Sequence, residues 1–200
     1  MIYNVRELAS ATFEPVTLAE AKLWLKIEDD QTTDDAVVLL LITAMRIFAE
    51  NLTGRCFARR QLELRLEKFP LQNRPIELPY PPLASVEYIR YVDSAGAEQE
   101  LSGSPEAFQA DTGSYPGRVF PLYSTDWPDA LEQPGSVRIG YTAGAAQQSQ
   151  QNKLVRLWMQ ARIGTAYEFR EMVATSSVNA LPRDFADGLL DELRVGSMLA

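Results

Sequence analysis

Residues 34–67 read DDAVVLLLITAMRIFAENLTGRCFARRQLELRLE, and the period of the apolar residues changes once along them. Up to Leu52 the period is helical. Val37, Leu41, Ala44, Phe48 and Leu52 form one stripe, and Val38, Leu40, Met45 and Ala49 widen it. Leu39, Ile42 and Ile47 lie on the remaining side. From Arg60 the period is two, with Leu62, Leu64 and Leu66 alternating with Glu63, Arg65 and Glu67. The stretch therefore predicts a helix to about Leu52, a C-cap at Gly54, and then a strand with one buried face. A helix that is apolar nearly all round is buried nearly all round. It is either central in its own subunit or shared with a neighbouring one.

Upstream lies IEDDQTTDDA, residues 27–36, with carboxylates at Glu28, Asp29, Asp30, Asp34 and Asp35. A calcium loop needs alternating oxygen ligands and a glycine at its middle, and this run has no glycine. It reads as a helix-to-helix turn. Thr32 or Thr33 is the expected N-cap, and Asp34 and Asp35 oppose the positive end of the helix dipole. Before it, Thr17-Leu18-Ala19-Glu20 has capping-box spacing and predicts a helix to about Lys26, with Leu18, Ala21, Trp24 and Leu25 inward.

Downstream, prolines at 70, 75, 79, 81 and 82 punctuate the chain. Ser85–Val92 reads as a strand, Asp93–Gly96 as a turn, and Ala97–Leu101 as the returning arm of a hairpin. Phe108–Asp111, Arg118–Phe120 and Val137–Tyr141 are shorter strand candidates. After the Gln-rich link 147–151, Leu154, Trp158, Ala161 and Thr165 form a helical stripe beside Val155, Met159, Ala166 and Phe169. Residues 171–180 read as a loop. Pro182 opens an expected last helix with Phe185, Leu189, Leu190 and Leu193 inward. The expected fold class is α+β: a helical bundle of about four helices (residues 1–59 and 144–200) carrying a small antiparallel β unit (60–143) of five or six strands.

Composition excludes several kinds of function. The chain has 200 residues, 46% of them apolar, with 19 basic against 27 acidic residues and a net charge of −8. Such a chain is poorly suited to gripping phosphate backbones, although like charge can line a wall that DNA passes. There is no histidine, which removes the commonest general base and metal ligand. Cys56 is alone, so no disulfide framework or thiolate zinc site is expected, which fits a reducing cytoplasm. Met1–Ser10 shows no signal-peptide pattern, and the apolar run Ala36–Ile42 is too short to cross a membrane.

The remaining candidates are surfaces. Arg55, Arg59 and Arg60 form a basic cluster that suits either a helix C-terminus and turn or contact with an acidic partner. Gly140–Gly144 lacks the Gly-Lys-Ser/Thr of a phosphate loop. Cys56 has no histidine to activate it. Tyr123 and Trp127 lie in LYSTDWPDALEQPG, residues 122–135, as an aromatic loop that either packs over the β core or binds carbohydrate or protein. No catalytic constellation assembles, so no enzymatic activity, metal or cofactor is expected.

Several anchors occur in order along most of residues 14–194. They are Glu14–Lys22 with Leu25, the acidic turn, and the apolar helix ending Leu52-Thr53-Gly54-Arg55. Gln61–Phe69, Pro82-Leu83 before SVEYIRYVD, and Pro116-Gly117-Arg118 follow. Trp127-Pro128, Tyr141–Gly144 and Tyr167–Glu171 complete the set. In this order the chain resembles the head–tail connector (head-completion or adaptor) proteins of long-tailed bacteriophages. The resemblance implies a structural virion protein of the neck, assembled in the host cytoplasm. It implies a homo-oligomeric ring of about twelve subunits. Such a ring would lie between the portal protein and a tail-side neck or tail-terminator protein, and would enclose DNA without reading its sequence. On this reading Leu39, Ile42, Ile47, Arg55, Arg59 and Arg60 belong to the subunit interface. Arg194, Val195, Met198 and Leu199 face the portal, and Tyr123 and Trp127 face the tail side or a neighbour. A carbohydrate- or protein-binding module built on the aromatic loop is the alternative.

Overall fold

The computed structural model describes residues 4–101, 107–146, 153–169 and 188–195. They fall into two compact units, Met1–Thr12 with Ala58–Ala145 and Phe13–Phe57 with Ala146–Ala200. Among the described residues there are three α-helices and eight strands in two antiparallel sheets. The expected four-helix bundle with a small β insertion is therefore corrected.

In the first unit, β1 (Asn4–Ala9), β2 (Arg60–Leu66), β4 (Leu83–Val92), β5 (Glu98–Leu101) and β8 (Val137–Ala143) form one sheet in the order β1-β2-β8-β4-β5. A second sheet has the order β3-β7-β6, from Ile76–Leu78, Gly117–Pro121 and Phe108–Asp111. β1 and β3 carry no readable pattern. β1 is an edge strand exposed at almost every position, so no alternation marks it, and β3 has three residues. The alternation at β2 does hold. Leu62, Leu64 and Leu66 are buried with Ile89, Val137, Ile139 and Tyr141. Glu63, on the opposite face, is buried too. The Tyr141 hydroxyl donates to the Pro79 carbonyl at 3.0 Å, and Phe69 stacks on Trp127 at 5.1 Å between centroids, sealing the unit's core.

In the second unit, α1 (Leu18–Leu25) begins with the expected capping box. The Glu20 N–H donates to Thr17 Oγ1 at 3.2 Å, and the Thr17 N–H donates to Glu20 Oε2 at 2.9 Å. Trp24, expected inward, is about half exposed. α2 (Asp35–Thr53) ends at Gly54, whose φ of 69° is the left-handed conformation that glycine adopts without strain. The α2 N-cap position is Asp34 rather than a threonine, and its carboxylate makes no cap; Oδ2 accepts from the Tyr167 hydroxyl instead.

The inward face of α2 also differs from the expected stripe. Val38, Ile42 and Ala49 are in the core, together with Val155, Trp158, Met159 and Ile163 of α3 (Lys153–Glu168), while Val37 and Phe48 are exposed. Polar pairing selects this face. Arg46 is buried, with Nε 2.8 Å from Glu14 Oε2 and Nη1 2.9 Å from Glu50 Oε2. Glu50 Oε1 accepts the Phe57 N–H at 2.9 Å, and Thr43 donates to Glu14 at 3.0 Å. Turning α2 to bury Val37 and Phe48 would break this network, and a buried ion pair missing one partner costs about 3–5 kcal/mol. By length and composition α2 could cross a bilayer, but this charged inward face makes it a core helix. Of the expected last helix, residues 181–187 lie outside the described residues; the described part holds a 3₁₀ turn, Asp191–Leu193, with Leu190 and Leu193 buried.

Candidate functional site

The acidic run is organised around a lysine. Lys22, buried on α1, donates from Nζ to the carbonyls of Asp29 at 2.9 Å and Gln31 at 2.8 Å, and pairs with Asp35 Oδ1 at 3.1 Å. An ammonium therefore occupies the place a metal ion would need, held by oxygens alone as a cation is. No metal-binding cluster occurs among the described residues. Gln31 N–H closes the turn on the Glu28 carbonyl at 3.1 Å. The side chains of Glu28, Asp29 and Asp30 are exposed.

The outward face of α2 is apolar. Leu40 is 69% exposed, Ile47 46% and Phe48 45%, with Val37 beside them, while Leu39, 48% exposed, lies on the opposite side of the helix from Phe48. Ile42, grouped with Leu39 and Ile47 by sequence, is 1% exposed and belongs to the unit's own core. Val37, Leu40 and Phe48 were expected inward. The apolar stripe of α2 points the other way because the face that the fold buries also carries Arg46, Glu50 and Thr53, whose polar groups are paired in the interior. Ala44, Met45, Phe48, Thr165, Ala166, Phe169 and Arg162 line a groove of about 510 Å³ on the same unit. A contiguous apolar surface of this kind on a folded unit marks a site of association.

The three arginines of the basic cluster are held differently. Arg55 donates through Nε to the Leu193 carbonyl in the helical unit. In the β unit Arg60 pairs with Glu7 at 3.1 Å and lies over the Tyr80 ring, while the Arg59 carbonyl accepts from the Thr12 N–H at 3.1 Å. The Arg59 side chain has no partner among the described residues, and its Nε is buried.

Of the C-terminal candidates, Met198 and Leu199 lie outside the described residues. Val195 donates its N–H to the Thr53 carbonyl at 2.8 Å, satisfying a carbonyl that the end of α2 leaves open, and Arg194 pairs with Asp191 at 3.2 Å. Of the aromatic loop, Tyr123 is 99% exposed. Trp127 is 8% exposed, stacked on Phe69, and donates Nε1 to the Arg74 carbonyl at 3.1 Å. Its ring face serves the core and offers no platform to a sugar.

A feature that the sequence reading missed lies on the polar face of the five-stranded sheet. Arg65 on β2 stands directly opposite Arg138 on β8, and Arg138 directly opposite Arg90 on β4. Like charges so placed repel. The sheet balances them with Glu63 (2.7 Å from Arg65), Glu98 (2.8 Å from Arg138) and Glu100 (2.7 Å from Arg90). Only strand register could have revealed this row, because its members are dozens of residues apart. In the next row Glu63 accepts from the Tyr88 hydroxyl across Gly140. Burial opposes ionisation of Glu63, but the hydrogen bonds from Arg65 and Tyr88 and the charges of Arg65 and Arg138 hold it below its ordinary value.

No protein-family model matches the chain, and no curated protein does. Solved structures do. A chain in the neck of an empty gene transfer agent particle, computed with C6 symmetry, matches with a TM-score of 0.76 and 22% identity, over 98% of this chain and 96% of that one. A chain in the virion of the native gene transfer agent particle gives 0.77 and 22%, over 96% and 95%. A chain in the neck of the native particle, computed with C12 symmetry, gives 0.73 and 21%, over 98% and 96%. The chain thus has a fold that occurs in the neck of gene transfer agent particles.

Proposed function

We propose that the chain is a structural, non-enzymatic subunit of the neck of a phage-like virion. In this reading about twelve copies form a ring, as in the C12 neck it resembles, that joins the portal vertex to the tail-side proteins and extends the DNA channel. The observation that carries the reading is the likeness over nearly the whole chain to neck chains. The exposed apolar face of α2 supports it, because a ring subunit needs a surface to hide. Leu39 and Ile47, joined by Val37, Leu40 and Phe48, belong to the contact between neighbours, with Arg55, Arg59 and Arg60 as its polar members. The segment from Arg194 through Val195, Met198 and Leu199 meets the portal, and Tyr123 meets the tail side or a neighbour. The net charge of −8 suits a wall that DNA slides past.

The test is mass in solution by light scattering over a wide concentration range, with and without the cognate portal protein. A ring of about twelve subunits in either case supports the reading. A monomer indifferent to portal at every concentration overturns it. Leu40→Asp should leave the monomer folded and abolish the ring.

A further inference from the structure

We infer that neighbouring copies of this chain are joined knob into groove: Leu23 and Trp24 of α1 in one copy seat in the apolar groove between α2 and α3 of the next. The inference rests on the ring reading and names the surface that the groove receives.

The groove is concave and mostly apolar. Ala44 and Phe48 line it from α2, and Ala166 and Phe169 from α3, with Arg162 as its charged member. Its 510 Å³ lies within the ~300–1,000 Å³ of clefts that enclose a drug-sized ligand, so it has room for two side chains. Ala44 and Phe48 are both exposed, and Phe48 belongs to the outward face of α2, so the groove continues that face.

The knob projects and is held rigidly. Leu23 is 80% exposed, and Trp24 is exposed over about half its surface. The start of α1 is fixed by the Thr17–Glu20 capping box and by the pairing of Glu20 with Arg156 of α3, and its end by the Lys22 clasp. A rigid element loses little conformational entropy on docking. Trp24 rests against α3, where a Cβ at Gly164 would meet its Nε1 at 3.3 Å. Leu157, exposed as well, lies two turns before Gly164 on the same stripe of α3 and extends the apolar patch. Leu39, one turn after the Asp35 that pairs with Lys22, lies on the α1 side of α2 and not on the groove side.

A second copy is the occupant that both surfaces require. One surface is hollow, the other projects, and both belong to one unit of one chain. Leu157 and Ala166 are nine residues apart on α3, about 180° around the helix. Knob and groove therefore face different ways, and filling one leaves the other free. Each copy can give its knob to one neighbour and take a knob from the other, the heterologous contact that closes into rings. A foreign partner would cover one surface and leave the other in water. Tryptophan is also among the residues that anchor the centres of protein contacts.

Two variants test this, each checked for its fold by circular dichroism. Leu23→Lys alters the knob and Ala44→Glu the groove, both at exposed helical positions. Each alone should raise the concentration at which rings form by about tenfold or more. Mixed, the two should form one-to-one dimers that grow no further, read by native mass spectrometry, since one intact knob and one intact groove remain per pair. Mixed variants that stay monomeric overturn the inference. Both substitutions in one chain set lysine against glutamate at every contact, and should give rings at a lower concentration than either variant alone; no such rescue counts against direct contact. Wild-type rings should withstand added salt, because an apolar contact is not screened. Rings from Leu23→Lys at wild-type concentrations overturn this inference while leaving the ring reading intact. Leu23→Lys chains that form rings normally but no longer bind portal assign the knob to the portal and overturn it as well. A wild-type chain that stays monomeric even with portal overturns the ring reading itself.

Discussion

The hydroxyl of Tyr88 donates to Oε2 of Glu63 at 2.8 Å, reaching from β4 to β2 across the intervening strand β8. It passes over Gly140, the cross-strand partner of both residues. A Cβ at Gly140 would lie 2.3 Å from Tyr88 Cε1, closer than any side chain tolerates. Gly140→Ala should therefore displace the ring, break the bond to Glu63, and cost about 1–3 kcal/mol. Urea titration measures the loss. A Gly140→Ala/Tyr88→Ala double variant should recover part of it, because the clash is gone.

Acid should weaken the fold through the same group. Glu63 is held below its ordinary value of 4.5, and so is Glu20. Burial raises Glu20, while its hydrogen bonds to Thr17 and the charge of Arg156 lower it further. A carboxyl with a depressed folded value contributes stability above its unfolded value, and the contribution is lost as pH falls below 4.5 through the folded value. The stability gap between wild type and Glu63→Gln should be full at neutral pH and close on acidification. Denaturant midpoints on both sides of pH 4.5 test this, and a gap that widens in acid contradicts it.

Lys22→Met removes the cation that clasps the acidic turn. Two carbonyls and Asp35 then lose their donor, at about 1–3 kcal/mol for each group left buried and unpaired. The melting temperature should drop by several degrees. Calcium or magnesium should leave the wild-type melting temperature unchanged, because the ammonium already fills the oxygen cage. A metal-dependent rise in the wild type would point instead to a metal role for the run.

Trp127→Ala should behave as a core deletion. Loss of the ring stacked on Phe69 costs about 3–5 kcal/mol. Tyr123→Ala should leave stability within about 0.5 kcal/mol, since its side chain touches little. If Trp127→Ala kept full stability and lost binding on a glycan array, the carbohydrate reading would return.

What could be read from the chain alone were the features written in local pattern. The capping box at Thr17 and Glu20, the glycine stop at Gly54 and the alternation of Leu62, Leu64 and Leu66 each involve residues within one turn or one strand. Such local chemistry acts wherever the segment ends up. β1 and β3 were not legible, because an exposed edge strand and a three-residue strand have no periodicity to detect. The phase of α2 was not legible either: its apolar stripe through Val37 and Phe48 points away from the buried face, which the pairing of Arg46 with Glu14 and Glu50 selects. Tertiary structure alone turned the acidic run into a lysine clasp and set three arginines abreast. Both arrangements depend on side chains from separate elements meeting in space, and sequence distance carries no record of that.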